Sequence, residues 1–404
     1  MNRTNRYCAV LVGHNFTTIL GFMRSLGRAG YDVYVIRTGV PGGRNPIRRI
    51  GSMPEKHSKY LTQYFRVASK DENAILDILL KIIPGYEKRI VIPVDDICTE
   101  LLDRHYNALK QQQYILPNCN GQQGGIVRIM NKMLQKDLAQ KCGLPVAKGW
   151  SIEIKNGNYE IPKEIVYPCF VKAEVPLRAR KLIMTKCANY DELNATMQKA
   201  AGIGNFPVIV EEFIPIDQEY CIVGFSDGSR VFIPDFIEET VLGHGEHAGV
   251  TCFGKVMGAS GFASFIEPLR AFIASLNYHG FFTVDVLQSR AKYYFCEINM
   301  RIGGSGCSVI GAGVNLPVIY AEQFTEEKEN LPDSECRNIT FASERPLVND
   351  LITGQLDHKQ YKKYLKQADY RFVYDAEDKG PYLNYFLYIL NQFARMKVKK
   401  RQRR

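Results

Sequence analysis

Asp285, Glu297, Asn299 and Arg301 lie on two strand-like stretches, Phe281 to Gln288 (FFTVDVLQ) and Tyr293 to Gly306 (YYFCEINMRIGGSG). Alternate residues of an extended strand share a face. Glu297, Asn299 and Arg301 therefore face one way, while Tyr294, Cys296, Ile298 and Met300 are expected to point into a core. The connection Ser289-Arg290-Ala291-Lys292 is short enough for an antiparallel hairpin. A register centred on Ala291 sets Asp285 opposite Glu297, with Cβ atoms roughly 4.5–5.5 Å apart. Two carboxylates at that distance repel unless a cation lies between them. Hard oxygen donors with few fixed protein contacts suit Mg²⁺, which keeps waters and substrate phosphates in its other positions. Ordinary polar alternation on a surface hairpin would leave an acid–Asn–Arg ladder beside a second acid without a reason.

Other elements must bring partners to that ladder. Tyr7 to Gly13 (YCAVLVG) reads as a buried strand, Ile19 to Ala29 as a helix and Tyr31 to Ile36 as a second strand, the β-α-β opening of a doubly wound sheet. Gly13 and Gly21 do not have the spacing of a dinucleotide fingerprint. Ile90 to Pro93 is a further short strand with Asp95 and Asp96 just past its end. Ligands bind at such strand ends, and acids also cap helices there; both readings stay open for the pair. From Asn131 a helix runs to a stop at Gly143, and Pro145 opens a strand. Tyr167 to Glu174 (YPCFVKAE) is a strand ending near Lys172. Val208 to Ile214 (VIVEEFI) is an apolar strand carrying Glu211 and Glu212 at its end. Thr240 to Gly261 is glycine-rich and contains His244, His247 and Lys255. Two histidines without a third ligand make a weak zinc signal, so this segment is expected to be a mobile lid over a substrate. Helices are further expected over Leu269 to Tyr278 and Tyr361 to Ala368.

The ladder resembles a family signature. Glu297-Ile298-Asn299-Met300-Arg301 is similar to the E-x-N-x-R motif of the ATP-grasp superfamily, and Asp285 matches its upstream metal acid. The resemblance runs from about Asn118 to Glu322. It implies an α/β protein, α+β in its ATP-grasp part: a Rossmann-like doubly wound domain over residues 1–117, then a two-lobed ATP-grasp domain over 118–325. The lobes divide as 118–207 and 208–325, and a C-terminal extension covers 326–404. It further implies ATP and Mg²⁺ (or Mn²⁺) as cofactors. Asp285, Glu297 and Asn299 would hold the metal. Lys132 and Lys172 would reach the phosphates, and Arg301 would sit at the point of transfer. Glu211, Glu212, Phe213 and Ile214 would form the adenine side, and Glu219 would accept the ribose hydroxyls. Where many relatives carry a glycine-rich phosphate loop, this chain has VPLRARKLIMTK, offering Arg178, Arg180 and Lys181 instead.

The chemistry implied is activation of a carboxylate as an acyl phosphate and its coupling to an amine, as in D-aspartate-ligase-like proteins. A carboxylase or carbamate-forming enzyme and a nucleotide-binding protein without turnover are the alternatives. The carboxylate and the amine would be small molecules.

Composition bounds the rest. Seven of the last ten residues are Lys or Arg, and without them the formal charge of +10 falls to +3. The basicity is a property of the tail, so a nucleic-acid-binding face is not expected. Eleven scattered cysteines without a C-x-x-C pair read as reduced core residues in the cytoplasm. No apolar run approaches the ~20 residues that span a bilayer. Tyr382 to Phe393 (YLNYFLYILNQF) is apolar and aromatic and runs into the basic tail. It either docks on the protein with the tail in solvent or holds the protein at an anionic membrane. A homodimer is compatible with all of this.

Overall fold

The computed structural model describes residues 6–39, 53–68, 71–83, 85–174, 183–245, 248–325 and 331–402, with side chains to 394. The Arg178, Arg180, Lys181 and His247 positions lie outside them.

Three sheets carry the described residues. The first is parallel, in the order Gln63–Arg66, Asp32–Arg37, Tyr7–Gly13, Lys88–Pro93, Tyr114–Ile115. Its three central strands are apolar and buried along most of their length because both faces are covered. Ala9 and Leu11 pack with Ile19, Phe22 and Met23 of the helix Phe16–Arg28. Cys8, Val10 and Val12 pack with Cys98, Leu101 and Leu102 of the helix Asp96–Arg104. The strand order reverses between Tyr7–Gly13 and Lys88–Pro93, the place where open α/β sheets bind ligands.

The second sheet is antiparallel: Gly149–Glu153, Pro207–Glu212, Cys169–Ala173, Thr185–Cys187. Leu193, Met197 and Ala200 of the helix Tyr190–Ile203 cover one face of it. The strand Pro207–Glu212 belongs to this sheet, so the expected lobe boundary at 208 falls inside a strand.

The third sheet runs Lys292–Asn299, Tyr278–Ser289, Gln218–Asp227, Asp235–Leu242, Thr251–Gly258, Ile339–Ala342, Tyr370–Arg371. Its last two strands come from beyond residue 325, so the C-terminal segment completes the sheet. That segment also returns to the first sheet's helix. Asp378 accepts from Arg24 Nε at 2.9 Å, from Ser58 Oγ at 2.7 Å and from the Lys59 N–H at 3.0 Å. A buried charge pair is tolerated when its remaining bonds are filled in this way.

The helix Ala263–Ser275 begins earlier than expected and holds Pro268 inside it, and Tyr278 opens the next strand instead of ending the helix. The expected lid over 240–261 is mostly strand: Asp235–Leu242 and Thr251–Gly258 form a hairpin inside the third sheet. Gly254 lies there because a Cβ would come within 2.5 Å of the Glu238 carbonyl oxygen. Among the described residues, the tip around His244 and the 3₁₀ turn Ala259–Phe262 lie outside the strands. At the tip, His244 Nδ1 is 2.9 Å from Asp350. No described helix is long and apolar enough to cross a membrane.

Candidate active site

The hairpin places the two acids. Tyr278–Ser289 and Lys292–Asn299 pair antiparallel, with Asp285 opposite Glu297 and Thr283 opposite Asn299. Its tip is a two-residue turn, Arg290-Ala291, with φ of 48° and 61°, the conformation that suits strand twist. That turn and the Asp285–Glu297 pair do not share one register. The register shifts next to Asp285, leaving Cys296 as an extra residue on the returning strand. A bulge leaves the extra residue unpaired and breaks simple alternation, which corrects the expected core face. Phe295 is the buried residue, not Tyr294, and Cys296 Sγ lies 3.8 Å from Lys172 Nζ on the cleft side.

The helix Lys132–Lys141 is fastened to this strand. Its N-cap, Asn131, accepts from the Leu134 N–H at 2.9 Å. The buried amide of Gln135 donates to the Ile298 carbonyl at 2.9 Å and accepts from the Ile298 N–H at 3.0 Å. This pairing brings Lys132 Nζ onto Glu297 Oε2. One turn further, Lys136 Nζ reaches Glu211 Oε1 at 2.8 Å. Lys172, 4% exposed, approaches Glu211 Oε2 from the neighbouring strand at 3.0 Å. Glu211 is thus held between two lysines. Glu212 is exposed, and Phe213 and Ile214 are half-buried. The Phe213 N–H donates to the Pro168 carbonyl at 3.1 Å, and Lys186 Nζ lies 4.2 Å from the Phe213 ring centre.

Arg301 crosses to the first sheet. It donates to both Asp96 carboxylate oxygens, at 2.8 and 3.2 Å, and its Nη2 is 3.5 Å from Asn299 Oδ1. Both readings of the Asp95–Asp96 pair apply, one to each acid. Asp95 caps the helix Asp96–Arg104, accepting from the Cys98 N–H at 2.9 Å, and also accepts from the His14 N–H at 2.7 Å. The φ of +143° at Gly13 permits this, since a Cβ there would lie 2.5 Å from Asp95 Oδ2. Asp96 turns to the ladder. Beyond Arg301, the Gly303 N–H donates to Thr283 Oγ1 at 2.7 Å, an approach a side chain would block. Ser305 Oγ is 3.1 Å from the Thr251 hydroxyl, which also bonds Glu239.

Charge is concentrated here. Burial pushes Asp285 well above the carboxylate range, and repulsion from Glu297 and Glu239 adds to it. Opposed carboxylates about 5 Å apart repel by about 3 kcal/mol at an effective dielectric of ~20. Burial also works against ionised Glu297, but Lys132, Lys172 and Arg301 outweigh it and hold that carboxyl low. Burial favours neutral Lys172, but Cys296, Glu211 and Glu297 keep it charged. Burial raises Glu219, and it raises Glu239 to about 7. The cleft thus has one carboxyl already balanced by lysine and another, Asp285, that ionises only against strong opposition. That imbalance, with the hard donors Glu297 and Asn299 alongside, fits a divalent cation shared with phosphate oxygens. No group of three or more His, Cys, Asp or Glu able to hold an ion together occurs among the described residues. Such an ion would therefore complete its shell with phosphate and water.

Sequence reading did not single out Lys136, Gln135 or Glu239. The four-residue spacing of Lys132 and Lys136 on one helix was the available signal for the first. Gln135 and Glu239 left none, because their roles depend on partners from distant segments.

No protein-family model matches the chain. It is 24% identical over 246 residues to the formate-dependent phosphoribosylglycinamide formyltransferase of Wolinella succinogenes, covering 59% of either chain. It therefore aligns with less than two thirds of that relative's length. Its structure matches an N5-carboxyaminoimidazole ribonucleotide synthetase in complex with ADP, at TM-score 0.60 and 16% identity over 83% of this chain and 81% of that one. It also matches an L-amino acid ligase from Bacillus licheniformis, at TM-score 0.58 and 14% identity over 83% and 80%. With a parallel sheet, an antiparallel sheet and a mostly antiparallel one in chain order, and the ladder facing Lys172 across the last two, the chain has the ATP-grasp fold.

Proposed function

We propose that the protein is an ATP-dependent ligase that activates a carboxylate as an acyl phosphate, couples it to an amine and releases ADP and phosphate. The observation that carries this reading is the Asp285–Glu297 pair, with Asn299 at the end of the strand, Arg301 just past it, and Lys132 and Lys172 facing it from two other elements. Formate and L-amino acid, the compounds in the names of two similar proteins, are both carboxylates.

Lys132 and Lys172 bind the phosphates as point charges, which need placement more than fixed geometry. Each exchanges its carboxylate partner for phosphate oxygens when ATP enters. Glu211, Glu212, Phe213 and Ile214 form the adenine side, and Glu219 accepts the ribose hydroxyls. Asp285, Glu297 and Asn299 are the residues that would hold Mg²⁺, whose charge neutralises phosphate oxygens as the bond breaks. A substrate carboxylate oxygen attacks the γ-phosphorus, the bond to the ADP oxygen breaks, and Arg301 stabilises the charge on the transferring group. The amine nitrogen then attacks the acyl carbon, and phosphate leaves with the C–O bond electrons. Asp96 positions Arg301 by gripping both arms of its guanidinium.

Purified protein with ATP, Mg²⁺ and pooled amino acids, hydroxy acids and peptides tests the reading. Phosphate release should require a carboxylate together with an amine. Hydroxylamine should replace the amine and yield a hydroxamate. Phosphate release indifferent to every added acceptor would count against ligation.

A further inference from the structure

We propose that the outer face of the C-terminal helix, together with the basic segment that continues it, docks on the headgroup region of an anionic membrane. This inference is independent of the ligase reading.

The helix Lys379–Gln402 has two apolar faces with different surroundings. The inner one is docked. Tyr385 is 2% exposed and donates its hydroxyl to the Glu344 carbonyl at 3.2 Å. Tyr382, Tyr388 and Ile389 pack on the same core. This satisfies the sequence reading in which the helix lies on the protein. The outer face carries Leu383, Phe386, Leu387 and Leu390, exposed by 61, 48, 49 and 50%. Their i, i+3, i+4, i+7 spacing makes one stripe along the helix. The other exposed large apolar residues among those described fall one or two to an element, which is ordinary for a protein surface. A stripe of four needs a covering surface.

Charge decides what that surface is. The same helix continues to Gln402, and seven of the last ten residues of the sequence are Lys or Arg and none is acidic. An apolar stripe continued by cations is the composition of helices that lie in a membrane interface. Each Lys or Arg near an anionic surface strengthens binding about fivefold, an effect that falls off within a Debye length. A second copy seated on the stripe would bring its own positive segment and gain no such attraction.

The test is co-sedimentation of the full-length protein with phosphatidylcholine vesicles, with and without phosphatidylserine, at low and high salt. Binding should require the anionic lipid and weaken at least ~10-fold at high salt. Phe386→Gln with Leu387→Gln, on the exposed face, should keep the parent's circular dichroism and weaken binding at least ~10-fold. Lys399→Gln with Lys400→Gln and Arg401→Gln should weaken binding to the anionic vesicles and reduce the salt dependence. No sedimentation with phosphatidylserine vesicles at low salt overturns the proposal, as does binding unchanged in both variants. A concentration-dependent dimer that dissociates in the Phe386→Gln, Leu387→Gln protein, without vesicle binding, assigns the face to a second copy and also overturns it.

Discussion

Asp285→Asn and Glu297→Gln should each lower the rate of ATP turnover by at least ~10²-fold while leaving the fold intact. Charge neutralisation at a transferring phosphoryl group is a leading catalytic term, and removal of one preorganised contributor costs about 10²–10³-fold in well-studied sites. Both substitutions keep side-chain shape and remove one negative charge, so packing is not the variable. Their effects on the free protein should differ. Asp285 has its carboxyl raised by burial and by its acidic neighbours. A raised carboxyl contributes stability below its unfolded value and loses it as pH rises, so at neutral pH an uncharged Asn relieves the repulsion. Asp285→Asn should melt no lower than the parent. Glu297 is held low by Lys132, Lys172 and Arg301 and contributes stability at neutral pH, so Glu297→Gln should melt lower. Mg²⁺ with ATP should raise the melting temperature of the parent and raise it less in either variant. Two variants that turn over ATP like the parent would remove the hairpin from the active site.

Lys172→Ala and Arg301→Ala should fail in different ways. Lys172 is buried against Glu211 and close to Cys296, and the proposal has it bind the phosphates of ATP in the ground state. Its loss should weaken ATP binding at least ~10-fold, since hydrogen bonds to charged groups contribute about 1.5–3 kcal/mol each. Arg301 stands at the far end of the ladder, gripped by Asp96. Its loss should leave ATP affinity close to the parent value and cut kcat at least ~10²-fold. Asp96→Asn keeps the side-chain shape but weakens the grip on the guanidinium, so it should lower kcat by a smaller factor than Arg301→Ala. Calorimetric titration separates the two classes. Unchanged ATP affinity in the Lys172 variant would contradict its proposed role.

The hairpin was legible because strand alternation and a short turn determine which residues can oppose each other, and Asp285 does oppose Glu297. The side assigned to Cys296 was not, because one bulge shifts the alternation and nothing in the YYFCEI stretch announces it. The parallel sheet was legible from apolar runs separated by a helix. The hairpin Asp235–Leu242 with Thr251–Gly258 was misread as a lid because glycines usually mark loops. Gly254 serves close approach between strands instead. The Asp96–Arg301 bond joins positions 205 residues apart, and no local pattern encodes such a pairing. For the C-terminal helix, the aromatic run could not say which residues face the core; Tyr385 does, and Leu383 does not.

Transfer of oxygen from the carboxylate to phosphate is the direct mark of an acyl phosphate. Once the substrate pair is found, turnover of the carboxylate labelled with ¹⁸O should place one labelled oxygen in the released inorganic phosphate, with ADP as the nucleotide product, read by ³¹P NMR. Unlabelled phosphate with ADP would mean that water, and not the carboxylate, attacks the γ-phosphorus. Label appearing in AMP, with release of pyrophosphate, would place the attack at the α-phosphorus and contradict the proposed chemistry.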